Sequence, residues 1–400
     1  MAAETGSLDG ANRIRVDGID VLRGLSVLLV VLHHIHLRFQ LNQYDVRNLL
    51  PRPIGQVLFW SGYYAVIAFF VISGFLISRL SLRRWGELGR VDIRQFYVMR
   101  VARIVPCLLL LLVALSALHL ATVDGFTINP ERASLGRALI AALTFHVNWL
   151  EGHHGYLPGG WDVLWSLSVE EIFYLAFPLL CLFLRSERRL LLPLIALIVI
   201  GPINRALLAD QDPWQDYAYL SCMDGIAFGC LAALLSARVA LSKRTLRWAL
   251  VVGCVIAAFV VVFRQSVAAL GLPTAGVNVT LLELGIALIL VALGNDVGNS
   301  VLSRGTAVVR WIGRCSYEIY LTHMFVILGV MSILERLQIA PSTIPLWYCA
   351  MLLLSIALGS LVARGFSEPM NRALRLRFLR PRQCAGNATV LGQSSHIRPD

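Results

Sequence analysis

Apolar stretches about twenty residues long recur from Ile19 almost to the end of the chain. Such a stretch, wound as a helix, matches the hydrocarbon thickness of a bilayer, and in lipid a lone segment satisfies its backbone polar groups only as a helix. The whole chain agrees. Over 400 residues it is 57% hydrophobic and 15% charged, with a mean hydropathy of +0.70, which excludes a water-soluble domain. The formal charge of +11 does not point to nucleic acid, because the arginines sit between apolar segments and in the tail. That is the positive-inside pattern of a membrane protein. The residues before Ile19 lack an apolar core with a small-residue cleavage site. The first segment therefore reads as a retained anchor rather than a cleaved signal. The eight cysteines are scattered and no pair has metal-ligand spacing. They read as small packing residues, with no metal site.

Eleven apolar segments stand out, at about 19–38, 57–79, 98–121, 133–150, 164–184, 190–208, 218–238, 246–266, 276–294, 308–334 and 344–366. Charge decides which of them cross. The stretch from Arg79 to Arg103 is rich in arginine, so it and the N-terminus belong in the cytoplasm. If all eleven crossed, Arg185, Arg188 and Arg189 would fall outside and the acidic run Asp210 to Asp216 inside. Leaving out 133–150, which carries Arg137, His146 and Asn148, repairs every placement. The expected fold is an all-α, polytopic helical bundle of about ten transmembrane helices. One re-entrant or interfacial segment accompanies them, and both termini are cytoplasmic. Residues 16–370 form the membrane domain. Residues 1–15 and most of the basic tail, 371–400, are expected to be disordered.

Ionisable residues inside apolar spans are costly and mark functional sites by default. Arg23 and His34 lie eleven positions apart, so they share one helix face about three turns, or roughly 16 Å, apart. His33 and His36 point away from that face, or line a wetted helix end. His34 suits general-base work on a hydroxyl. Arg100 and Arg103 are one turn apart in FYVMRVARIVP. With Arg23 they can form a basic pocket for phosphate or pyrophosphate, although anchoring to lipid headgroups explains each one singly. In WSLSVEEIFY, Glu170 and Glu171 point about 100° apart, so at most one serves a given site. Glu170 would hold and charge a histidine, or pair with an arginine. Ser73 and Gly74 in FFVISGFLI leave room for a ligand or for a close helix crossing. Ser316, Tyr320 and His323 make a polar stripe that can bind substrate hydroxyls or glue helices. Ser73, Trp165, Tyr320 and His323 are the candidate substrate contacts. Asp224 is a buried charge with no partner assigned from sequence.

Five pieces in this order resemble the acyltransferase 3 family of membrane O-acyltransferases. They are IDVLRG with ten residues between Arg23 and His34, FFVISGFLI, FYxxRxxRIxP with Arg100, Arg103 and Pro106, WSLSVEEIFY, and SYEIYLTH. The resemblance covers about residues 15–370. It implies ten membrane helices in a bacterial inner (plasma) membrane. It also implies an acyl-CoA donor, most often acetyl-CoA, taken from the cytoplasm with no permanently bound cofactor. The acceptor it implies is a carbohydrate hydroxyl, or in some relatives a small molecule such as a macrolide. Some members carry a soluble esterase-like domain after the last span; here transfer is expected without one or with a separate partner. An arginine expected just before Asp224 is replaced by Met223. The expected mechanism places CoA phosphates on Arg100, Arg103 and Arg23, with His34 as base or nucleophile and Glu170 orienting it. Buried charges alone also permit a transporter that does no chemistry.

Overall fold

The computed structural model describes residues 16–44, 46, 49–337 and 340–379. Among them ten helices are long and apolar enough to cross a membrane. They are α1 (Asp17–Leu41), α3 (Gly62–Trp85), α4 (Ile93–Leu120), α7 (Leu164–Leu184) and α8 (Glu187–Leu207), followed by α9 (Tyr219–Arg238), α10 (Lys243–Val262), α11 (Val277–Gly294), α13 (Ser316–Leu337) and α14 (Ile344–Val362). The remaining labelled helices are α2 (Arg52–Phe59), α5 (Leu135–Leu143), α6 (Val147–His154), α12 (Ala307–Arg314) and α15 (Glu368–Leu379). Among the described residues the secondary structure is helical throughout, and the protein is a multi-pass membrane protein. Large apolar side chains such as Phe183 (83% exposed) and Leu120 (73%) face outward. Water would drive such a surface to aggregate, whereas lipid solvates it.

The segment at 133–150 folds as two short helices. Ser134 caps α5 by accepting from the Arg137 amide. The chain then breaks at Thr144 and Phe145, the latter in the left-handed region at φ 58°. Helices of nine and eight residues reach only about 13 Å, well short of a hydrocarbon core about 30 Å thick. Two other segments are corrected. The run 57–79 merges α2 and α3, which are separated at Trp60 and Ser61. The run 308–334 merges α12 and α13, which break at Cys315. Polar residues do flank both breaks, Ser61 at the first and Arg314 and Ser316 at the second, but a few polar residues within a longer apolar run do not by themselves say where a helix stops. The tail continues as helix to Leu379; 1–15 and 380–400, where disorder is expected, lie outside the described residues.

Burial orders the bundle. The most apolar window of α3 is 72% buried, against 17% for α10 and 22% for α8. The central helix α3 crosses α9 at backbone distance. A Cβ on Gly74 would overlap the Ile226 carbonyl, and one on Gly229 the Val71 carbonyl. Small residues let helices approach this closely where no hydrophobic effect drives them together. Gly229→Val is expected to cost about 1–3 kcal/mol by overpacking. It should lower the thermal midpoint in detergent; a wild-type midpoint would show that the crossing relaxes freely.

Ten crossings bring the start of α1 and the end of α14 to the same side. That side also holds Arg83, Arg84 and Arg100, and is called the arginine end below. The C-terminal half of α1 carries His33, His34 and His36 to the opposite, histidine end.

Candidate active site

A cavity of about 630 Å³ opens between α1, α3, α4, α7 and α13. Its mouth lies at the arginine end, rimmed by Arg83, Arg84, Arg100, Arg103 and Arg375, with Arg23 also on its wall. Its walls are apolar along Phe69, Leu76 and Ile77, and its floor reaches Ser166 and Tyr320. Arg23, Arg100, Arg103, Ser73, Glu170 and Tyr320, far apart in sequence, all line this one space.

The arginines differ in what they are free to do. Arg103 donates to Glu318 Oε1 at 2.7 Å and Oε2 at 3.4 Å, and Glu318 is fully buried. Its charge is largely committed to holding α4 against α13. Arg100 lies 4.3 Å over the Tyr174 ring and has no hydrogen-bond partner among the described residues. Its guanidinium donors therefore remain for a ligand. Ser73 and the Tyr174 hydroxyl are hydrogen-bonded, and Glu170 lies against Ser73. Ser73 thus links α3 to α7 as well as lining the cavity. Arg375, on the tail helix α15, reaches the mouth without any sequence signal beyond basic composition.

At the floor, the Tyr320 hydroxyl and Ser166 Oγ lie 2.7 Å apart. The Tyr320 ring is 5.9 Å from that of His323, which is 4.9 Å from that of His34. The hydrogen bonds define the tautomers. His34 Nδ1 lies 2.9 Å from the Val30 carbonyl, which only accepts, so Nδ1 carries the proton. His323 Nδ1 likewise donates to the Tyr320 carbonyl at 2.6 Å, leaving a lone pair on its Nε2. That Nε2 lies 3.3 Å from His34 Nδ1 and shares the same proton. His34 Nε2 is left as an unprotonated nitrogen with no partner among the described residues. It is a base aimed at whatever enters beside it.

No hydrogen bond joins Glu170 to His34 among the described residues; His323 occupies the position expected for the carboxylate. The other two histidines are bound elsewhere. His33 donates to the Phe59 carbonyl at 2.7 Å, and His36 meets the Tyr348 hydroxyl at 2.9 Å. Trp165 is 5% exposed and stacked on Tyr217 at 4.0 Å, so it packs behind the cavity rather than lining it.

Asp224 does have a partner. Arg205 from α8 binds it through both nitrogens, at 3.1 and 2.7 Å, and both residues are buried. Arg205 also donates to the Gly276 carbonyl and Thr280 Oγ1. The arginine missing before Asp224 in the sequence is therefore supplied by the preceding span. The available signal was one acid and one base in neighbouring apolar segments. Toward the histidine end, Glu151 on α6 is fully buried and accepts from the Leu157 amide at 3.0 Å. Burial, then the neighbouring Asp162, pushes its carboxyl well above the usual carboxylate range. Among the described residues no cluster of potential metal ligands occurs.

The profile of the acyltransferase 3 family, described as an acyltransferase domain, matches residues 16–364. The O-acetyltransferase OatA of Staphylococcus aureus strain NCTC 8325 is 27% identical over 173 residues, 42% of this chain and 25% of that protein. The same values hold for OatA of strain COL. The chain spans about a quarter of the length of these relatives. No solved structure matches it. The family match runs through α1, α3, α4, α7 and α13, which between them supply the walls of the cavity and the His34–His323 pair. On that match, the chain belongs to the acyltransferase 3 family.

Proposed function

We propose that this protein is a membrane O-acyltransferase that moves an acetyl group from acetyl-CoA to a carbohydrate hydroxyl. The observation that carries the reading is the single cavity with arginines at its mouth and Tyr320, one ring from the His323–His34 pair, at its floor. Phosphates at the mouth meet Arg100 and Arg23 through charge-assisted bonds. The apolar walls suit the neutral arm that carries the thioester. The arginine end is then cytoplasmic, by the positive-inside rule. The histidine end faces outward, across the plasma (inner) membrane of a bacterium. The acetyl and hydroxyl assignments follow the named activity of the O-acetyltransferase relatives.

His34 Nε2 takes the proton of the acceptor hydroxyl as its oxygen attacks the thioester carbonyl. The positive charge that develops on His34 is shared through Nδ1–H with the Val30 carbonyl and His323 Nε2. The carbon–sulfur bond breaks, and the departing thiolate takes the proton back from His34 as free CoA thiol. No net proton is gained or lost.

Arg100→Ala tests the donor half. Losing a charged hydrogen bond worth about 1.5–3 kcal/mol should raise the KM for acetyl-CoA about 10- to 100-fold. Acetyl-pantetheine, which has no phosphate, should react poorly and equally with both proteins. Thiol release from purified protein in liposomes reads both donors. An equal loss with both would show that Arg100 does not meet phosphate.

A further inference from the structure

A second cavity, of about 280 Å³, opens at the histidine end between α3, α8, α11 and the segments just before α9 and just after α10. Trp60, Tyr63 and Tyr64 supply aromatic surface; Gln215, Asp216, Arg264 and Asn278 supply polar atoms. We propose that this cavity is the acceptor site and that it holds one sugar unit of a neutral oligosaccharide. The proposal rests on the O-acyltransferase reading above and adds where the acceptor binds.

The lining argues for a sugar by its chemistry. A pyranose presents an apolar C–H face and an edge of hydroxyls that both donate and accept. Trp60 is 43% exposed and offers a ring for the first. The planar groups of Arg264, Asn278, Gln215 and Asp216 offer donors and acceptors for the second. Charge argues against an anionic lipid headgroup. Arg205 at the cavity edge is neutralised by Asp224, and Arg264 shares the cavity with the Asp216 carboxylate. Counting Asp224, the two arginines are matched by two carboxylates, so the lining has no net positive charge to draw a phosphate. The volume sits at the lower edge of small-ligand pockets, roughly 300 Å³, which suits one unit of a longer chain.

The cavity wall is also built. Arg264 donates from Nη1 to the Trp60 carbonyl and from Nη2 to Ser61 Oγ, both at 2.8 Å, while lying 4.7 Å over the Tyr64 ring. Asn278 Nδ2 donates to the Tyr64 hydroxyl at 3.1 Å. These bonds fix the α2–α3 break and hold Trp60 in place. Trp60 in turn meets the His33 ring edge-on at 6.1 Å, and His33 meets His34 at 5.4 Å. A sugar on Trp60 is thus two ring contacts from the catalytic nitrogen. The next unit of the same chain is placed to bring its hydroxyl to His34.

The test uses the full chain in lipid nanodiscs on an array of oligosaccharides of hexoses, N-acetylhexosamines and uronic acids. The same preparations are assayed for acetyl-CoA turnover. Wild type should bind a subset of neutral glycans. Trp60→Ala should weaken that binding at least tenfold, and Trp60→Phe, which keeps a stacking face, should retain it. The KM for acetyl-CoA should move less than twofold. If Trp60→Ala does not fold, Gln215→Ala should show the same selective weakening. Unchanged glycan binding in the folded variants overturns the proposal. So does a wild type that consumes acetyl-CoA yet binds no glycan, an outcome that leaves the donor half standing. Glycan binding sensitive to Trp60 without any acetyl-CoA turnover would sink the acyltransferase reading and keep the site.

Discussion

Alanine in place of His34 is expected to slow acetyl transfer about 10²- to 10⁴-fold, the usual share of a positioned general base. The loss should fall on turnover, with little change in the KM for acetyl-CoA or in the thermal midpoint. His34 is only half-buried, and its contacts to Val30 and His323 are not the ones that hold α1 in the bundle. Three comparison variants sharpen the result. His33→Ala and His36→Ala should cost far less, because those rings bond to Phe59 and Tyr348 rather than facing His323. His323→Ala should fall between, since the Val30 carbonyl still fixes the tautomer of His34 after the second partner is gone. Full transfer by His34→Ala membranes would remove the assignment outright.

Arg205→Ala should have the largest effect on stability. It strands Asp224 as an uncompensated buried charge beside Glu283, whose two carboxyl oxygens are buried without a hydrogen-bond partner. Breaking one partner of a buried pair typically costs about 3–5 kcal/mol. Removing both charges is often nearly neutral, so Arg205→Met combined with Asp224→Leu should recover most of the loss. Fluorescence-detected unfolding in detergent measures all three proteins. Equal destabilisation by the single and double variants would mean that packing, not charge, is what α8 contributes at this position.

Much of the architecture was legible because lipid leaves few choices. Apolar runs set the helices, and arginine placement removed 133–150 from the crossings. The breaks at Trp60 and Cys315 were not legible, since the polar residues beside them, Ser61 at the first and Arg314 and Ser316 at the second, are also tolerated inside a continuous span. The cavity was legible as far as helical phase carries. Phase put Arg23 and His34 on one face and set His33 and His36 aside. It did not say which neighbouring helix meets that face. The choice of Glu170 as the partner of His34 rested on chemistry alone, and α13 delivers His323 instead. Arg103 read as a ligand cation because Glu318, its partner, lies more than two hundred residues away. Arg205 went unread for the same reason: pairing between spans is a property of packing, and one span viewed alone does not contain it.

The first helix has a consequence for donor choice. Between Asp17 and Leu41 it contains no proline, and Gly24 packs against the Val309 carbonyl while Gly313 packs against that of Asp20. These crossings fix its arginine end against α12, and the helix runs unbroken from there past His34. The separation of Arg23 from His34 is then set by helical pitch, roughly 16 Å, and cannot adapt to the donor. The helix works as a calliper. It admits a molecule whose anionic group and reactive carbonyl are held a full arm's length apart. A short activated acetate such as acetyl phosphate, with its two ends almost touching, cannot occupy both jaws.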